Sequence, residues 1–137
     1  MVGLLVITHG GLAEELVRAA RKVVQDAEGL EAVSMGWDDD VEEGKRRIQE
    51  ALRRVDSGRG VIVLTDMFGG TPTNLALAFH EHGNVEIVTG VNLPMLIKFT
   101  NLRDELDAHE AAARIAEQGR QAIQVASDLL GSGGAPE

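Results

Sequence analysis

The sequence predicts an α/β fold, a doubly wound and mainly parallel sheet with helices on both faces. Three observations carry that reading. Short apolar runs alternate with segments of helical periodicity along the chain. The run GVIVLT (60–65) is apolar throughout, as expected of a strand covered on both faces. No internal repeat or linker interrupts the alternation, so residues 1–130 read as one domain, a normal size for a single core.

The elements follow in order. GLLVIT (3–8) is a strand candidate, and LAEELVRAARKVV (12–24) sets Leu12, Leu16, Ala19, Ala20 and Val23 at helical spacing. LEAVSM (30–35) is a second, weaker strand. VEEGKRRIQEALRRV (41–55) puts Val41, Ile48, Leu52 and Val55 on one face with charges opposite. After the third strand (60–65), NLALAFHEH (74–82) reads as a helix and VEIVTG (85–90) as a fourth strand. In GVNLPML, Asn92 is placed to cap a helix whose first turn holds Pro94, continuing through MLIKFT (95–100). A last long helix is expected from about Asp104 to Leu130, with Ala112, Ile115, Ala116, Gly119, Ala122, Ile123, Ala126, Leu129 and Leu130 as its stripe. GSGGAPE (131–137) reads as a flexible tail. Right-handed crossovers and a strand order 2-1-3-4 complete the expected topology.

Composition narrows the function. A net charge of −9 argues against a nucleic-acid partner, and one Trp, three Phe and no Tyr leave little for a base-stacking platform. The chain has no cysteine, which removes disulfides and thiolate chemistry and fits a reducing cytoplasm. No apolar run approaches a membrane span, and no basic segment precedes the first one as a signal peptide would require.

In a sheet of this order, ligands bind beyond the carboxyl ends of the strands, where the order reverses between strands one and three. Strand one ends in Thr8-His9-Gly10, and strand three ends in Thr65-Asp66 before MFGGTPTN. Neighbouring strands lie about 4.8 Å apart, so His9 and Asp66 can meet. A carboxylate accepting from imidazole Nδ1–H leaves the Nε2 lone pair aimed outward and stabilises the positive ring formed on attack. No Ser or Cys is placed for this histidine to activate, so His9 itself is the candidate nucleophile. In GGTPTNLA, Thr71 is expected to cap a helix with Pro72 in its first turn, and the amides around Gly70 with the Thr71 hydroxyl form a candidate phosphate cradle. A phosphohistidine carrier is the chemistry these residues suggest.

The motifs THG after the first strand, DMFGGTPTNLA after the third and TGVNLPMLIK after the fourth resemble the IIA domain of the mannose family of the bacterial sugar phosphotransferase system. The resemblance extends to about Leu130. It implies that His9 accepts a phosphoryl group from the phosphorylated histidine-containing phosphocarrier protein and passes it to a IIB domain, for sugar uptake or regulation. It further implies that Asp66 is the hydrogen-bond partner of His9 and that Thr71 stands where the family has a phosphate-contacting Ser or Thr. No cofactor or metal is expected. The family is dimeric, with a short antiparallel strand near the C-terminus exchanged between subunits; no candidate for that strand is visible in this sequence.

Plainer readings stand beside these. His9 alone could be a turn residue, Asp66 a turn cap, and Gly69-Gly70 a tight turn; FGG is not a P-loop, because no Lys-Ser or Lys-Thr follows. Trp37 opens WDDD (37–40), whose acids read as capping the second helix rather than binding metal. His80 and His82 are expected at the end of the third helix and His109 on a solvated helix face, without metal-ligand spacing among the histidines. Competing functions are the phosphoryl donor subunit of dihydroxyacetone kinase, which looks similar around its histidine, and a non-covalent anion or small-ligand module in which His9 and Asp66 bind without chemistry.

Overall fold

Leu4, Leu5, Val6 and Ile7 are all fully buried, so the first strand has no solvent face. Alternation along it sends Leu4 and Val6 to one side and Leu5 and Ile7 to the other, and each side has its own core. The computed structural model describes residues 1–24 and 28–131. It contains four parallel strands, β1 (Gly3–His9), β2 (Leu30–Met35), β3 (Val61–Thr65) and β4 (Val85–Thr89), in the order β2-β1-β3-β4. This is the predicted topology. The register sets Leu4 against Leu30 on one side and against Ile62 on the other, with Glu86 of β4 beyond Ile62.

Helices α1 (Leu12–Val23), α4 (Leu93–Leu102) and α5 (Ala108–Gln121) cover the Leu4 face, where Phe99, Leu96 and Ile115 are fully buried. Helices α2 (Val41–Val55) and α3 (Thr71–Leu77) cover the Leu5 face around Ile48, Ala51 and Leu75. Close approach of α2 depends on Gly44, where a Cβ would lie 2.5 Å from Met35 Cε. The α4 cap is as predicted: Asn92 Oδ1 accepts from the Met95 N–H, and Pro94 lies in the first turn.

Two helices differ from expectation. α3 begins at Thr71 and ends at Leu77, five residues short of the predicted end. Bonds from the Phe79 N–H to the Ala76 carbonyl and from the His80 N–H to the Leu77 carbonyl tighten the chain into i to i+3 turns, and residues 81–85 form a turn closed by two bonds between Glu81 and Val85. His80 and His82 therefore stand outside the helix. The last helix is also divided. α5 starts behind Asp107, whose carboxylate accepts from the Glu110 N–H, and its buried face ends at Gly119. Past that point Ile123 and Val125 meet no core, and the Gln124 side-chain amide donates to the Gln121 carbonyl, satisfying a terminal acceptor from outside the helix. A separate short helix, α6 (Ala126–Gly131), follows with no buried residue. Apart from Gly131, the expected tail at 131–137 lies outside the described residues. No described helix is long and apolar enough to cross a membrane.

Candidate functional site

β1 ends in Thr8 and His9, and Gly10 then turns the chain with φ +56°. The buried Thr8 hydroxyl accepts from the Ala13 N–H at 2.7 Å and caps α1 from the strand, where Gly11 at the N-cap has no side chain to do so. The strand end, the turn and the helix start are thus fixed together, with His9 between them.

Asp66 follows β3 directly. One of its oxygens, Oδ2, accepts from the His9 backbone N–H at 3.0 Å and lies 2.9 Å from His9 Nδ1. The two side chains are 18% and 15% exposed, enough cover for the contact to be more than a surface ion pair. Burial pushes the Asp66 carboxyl up, but the His9 backbone N–H, the His9 ring N–H and the ring charge outweigh it and hold the group below the usual carboxylate range. With Nδ1 engaged by a carboxylate, the neutral ring carries its lone pair on Nε2.

Nε2 lies against Gly70. A Cβ at that position would stand 3.0 Å from Nε2 and 2.6 Å from Cε1, so only glycine lets the α3 N-terminus approach the ring this closely. On its other side the ring stacks on Trp37, with centroids 4.9 Å apart and planes at 23°. A cavity of about 360 Å³ opens beside them, lined by His9, Trp37, Asp39, Gly70 and Thr71 among others. Trp37 is 80% exposed, and Met67 and Phe68 of the turn after Asp66 are also exposed, so the imidazole sits beside an apolar rim.

Thr71 departs from its predicted role in one respect. Gly70 occupies the N-cap of α3, and Thr71 is the first helical residue, with no side-chain capping bond. Thr71 is exposed and lines the cavity at the N-terminus of α3. The turn is held instead by Thr73, whose hydroxyl lies 2.7 Å from the Thr65 hydroxyl and donates to the Met67 carbonyl at 2.6 Å.

Comparisons with known proteins bear on the family and the fold. A family model described as the "PTS system fructose IIA component", EIIA-man, matches residues 3–116. The chain belongs to this family. It is 27% identical over 131 residues to the "PTS system fructose-specific EIIA component" of Bacillus subtilis strain 168, covering 95% of this chain and 90% of the relative. It is 28% identical over 127 residues to the "PTS system mannose-specific EIIAB component" of Escherichia coli K12, covering 90% of this chain but 39% of that longer protein. The solved "Mannose/sorbose specific IIA subunit of phosphotransferase system from Enterococcus faecalis" superposes with a TM-score of 0.79 at 26% identity, covering 90% of this chain and 93% of that one.

Other polar groups of this EIIA protein have structural employment. Asp39 accepts from the Gly36 N–H at 2.7 Å and thereby holds the turn that presents Trp37, while Asp40 is the N-cap residue of α2 without a side-chain bond. Asn92 is fully occupied by the fold, its amide also donating to the Gly119 carbonyl. Two features escaped the sequence reading. The first is the stack of Trp37 on His9, for which the signal was a lone tryptophan two residues past the strand that neighbours β1. The second is the gathering of His80, His82 and His109 around Glu86, which no spacing announced.

Proposed function

We propose that this EIIA protein is a phosphoryl carrier of the sugar phosphotransferase system. It takes the group from the phosphorylated histidine-containing phosphocarrier protein onto His9 and passes it to a IIB domain. The observation that carries the reading is the 2.9 Å pair of His9 Nδ1 with Asp66, which leaves Nε2 as the nucleophile beside Gly70. In the transfer, the Nε2 lone pair forms a bond to phosphorus as the bond from phosphorus to the donor nitrogen breaks, and that electron pair returns to the donor ring. The proton on Nδ1 stays in place, so His9 becomes positively charged against the Asp66 carboxylate. Gly70 and Thr71 offer amide and hydroxyl donors to the phosphoryl oxygens. The exposed rim of Trp37, Met67 and Phe68 supplies apolar area for the partner proteins to dock. A cytoplasmic location fits this role.

The test is mass spectrometry after incubation with phosphoenolpyruvate, the first enzyme of the system and its phosphocarrier. A gain of one phosphoryl group, labile in acid, is the expected result. No gain would overturn the proposal in favour of non-covalent anion binding, and a gain that only dihydroxyacetone kinase components can discharge would reassign the acceptor of the group.

Gly70→Ala provides a sharper check on the geometry. Its φ of −89° suits alanine, so the fold should survive, but the new methyl group meets the imidazole at 2.6 Å and displaces it. Phosphoryl uptake should fall by at least about ten-fold, equivalent to about 1.4 kcal/mol of barrier. Uptake at the wild-type rate would show that the close approach of α3 has no part in transfer.

The same reading includes a homodimer. β4 is an edge strand, and a groove of about 430 Å³ runs between it and α5, past Val88, Ala112, Ala116 and Gly119. Beyond α5, Ile123, Val125, Leu129 and Leu130 are all more than half exposed, an apolar segment of the right kind to cross to a second copy. Sedimentation as a monomer across the micromolar range would refute it.

A further inference from the structure

At the opposite end of the sheet from His9, three of the four histidines surround one carboxylate. Glu86 is the second residue of β4, and its side chain is only 12% exposed. Its Oε2 accepts from the Gly83 N–H at 2.7 Å, which fixes the carboxylate before any ligand arrives. Gly83 has φ +77°, a conformation that lets residues 81–85 fold back over the strand and bring His82 with them. His109, in the first turn of α5, approaches from the helix side. Its Nδ1 lies 3.0 Å from Glu86 Oε2, and His82 Nδ1 lies 3.9 Å from the same atom. His80 Nε2 is 3.6 Å from the other oxygen, Oε1. The His82 and His109 rings are themselves in contact, with centroids 4.8 Å apart.

We propose that His82, Glu86 and His109 bind a divalent transition-metal ion of the zinc class, with His80 or water completing the coordination. One donor atom from each of the three residues fits within a span of 4.8 Å. In a tetrahedral site with bonds of about 2.0–2.1 Å, neighbouring ligand atoms lie about 3.3–3.4 Å apart, and the observed 3.0 and 3.9 Å bracket that value. Small rotations of two exposed imidazoles close the difference, while the buried carboxylate stays where Gly83 holds it. The donor set of imidazole nitrogens with one carboxylate oxygen selects zinc, nickel, cobalt or copper over the hard cations calcium and magnesium, which take oxygen ligands. Plain ion pairing is a poor account of the cluster, because one carboxylate neutralises one imidazolium and three imidazoles converge on it. By strand register Glu86 lies five residues and two strands from His9, on the order of 20 Å away, so the ion has no contact with the phosphoryl acceptor. It would instead clip the start of α5 to the edge strand at one end of the groove between them.

The experiment is zinc chloride titrated calorimetrically into protein freed of any affinity tag, with thermal unfolding recorded with and without zinc. The expected result is one equivalent bound and a melting temperature raised by zinc. His82→Ala and His109→Ala each remove an exposed ring, so both should fold as the wild type does without zinc. Each should weaken binding by at least about ten-fold, the lower end of what loss of even an outer-shell partner costs a metal site. His9→Ala should bind zinc as the wild type does. Cobalt in place of zinc should give visible absorption that the two histidine variants lose. Absence of binding at micromolar zinc would overturn the proposal. So would binding retained by a His82→Ala/His109→Ala double variant, or binding lost in His9→Ala.

Discussion

His9→Ala is expected to yield a folded protein that no longer accepts a phosphoryl group. The substitution removes the one nitrogen the proposed chemistry uses, and no neighbouring Ser or Cys stands ready to replace it. The fold has little at stake. The ring meets Trp37 in the stack, Asp66 in the pair and Gly70 at the start of α3, all at the rim of the sheet, and the bond from the residue-9 backbone N–H to Asp66 Oδ2 does not involve the residue-9 side chain. Thermal unfolding should therefore shift by only a few degrees, consistent with a loss on the order of 1 kcal/mol. The measurement is the mass gain under the phosphorylation conditions given above, with circular dichroism to verify folding. A variant labelled to full stoichiometry would remove His9 from the mechanism altogether.

Asp66→Asn should leave the protein folded and slow the transfer by about 100-fold or more, the range in which loss of a positioned proton partner falls. Asp66 Oδ2 serves two donors, the His9 backbone N–H and the ring. If the asparagine carbonyl takes the Oδ2 position, both bonds persist but the charge opposing the developing imidazolium is gone. If the amide nitrogen takes it, the backbone N–H of His9 loses its acceptor and the ring is driven to the tautomer with its proton on Nε2, which cannot attack. Either outcome slows transfer from the phosphocarrier, read by rapid quench, and a wild-type rate would refute the role. The stability profile gives a second readout. The folded-state carboxyl titrates below its unfolded value, so its contribution is fully present above the ordinary carboxylate pKa and is lost as pH falls through the lowered folded-state value. The gap in stability between wild type and Asp66→Asn should accordingly shrink at the acid end.

The meeting of His9 and Asp66 was legible across 57 positions because it needs only two facts: which strands are neighbours, and that both residues stand at carboxyl ends. Apolar runs and the switch-point rule supply both. What escaped was governed by short-range geometry or by contacts between elements. Whether Gly70 or Thr71 is the cap turns on a shift of one residue, and sequence patterns do not resolve helix ends that finely. The division after Gln121 escaped because the stripe of Ile123, Ala126, Leu129 and Leu130 keeps helical spacing past the place where the sheet stops offering a surface to bury it. The histidines around Glu86 were hidden for a third reason. Residues 80, 82, 86 and 109 share no period, and only the packing of α5 beside β4 and the early end of α3 bring them together.

The stack of Trp37 on His9 has an optical side. The chain has one tryptophan and no tyrosine, so its emission under near-ultraviolet excitation comes almost wholly from the indole 4.9 Å from the His9 ring. Imidazole in its charged form is a far better quencher of indole than the neutral ring. Any event that changes the charge or position of that ring is therefore written into the brightness of the whole molecule. The protein carries its own unlabelled reporter, placed on the residue proposed to take the phosphoryl group.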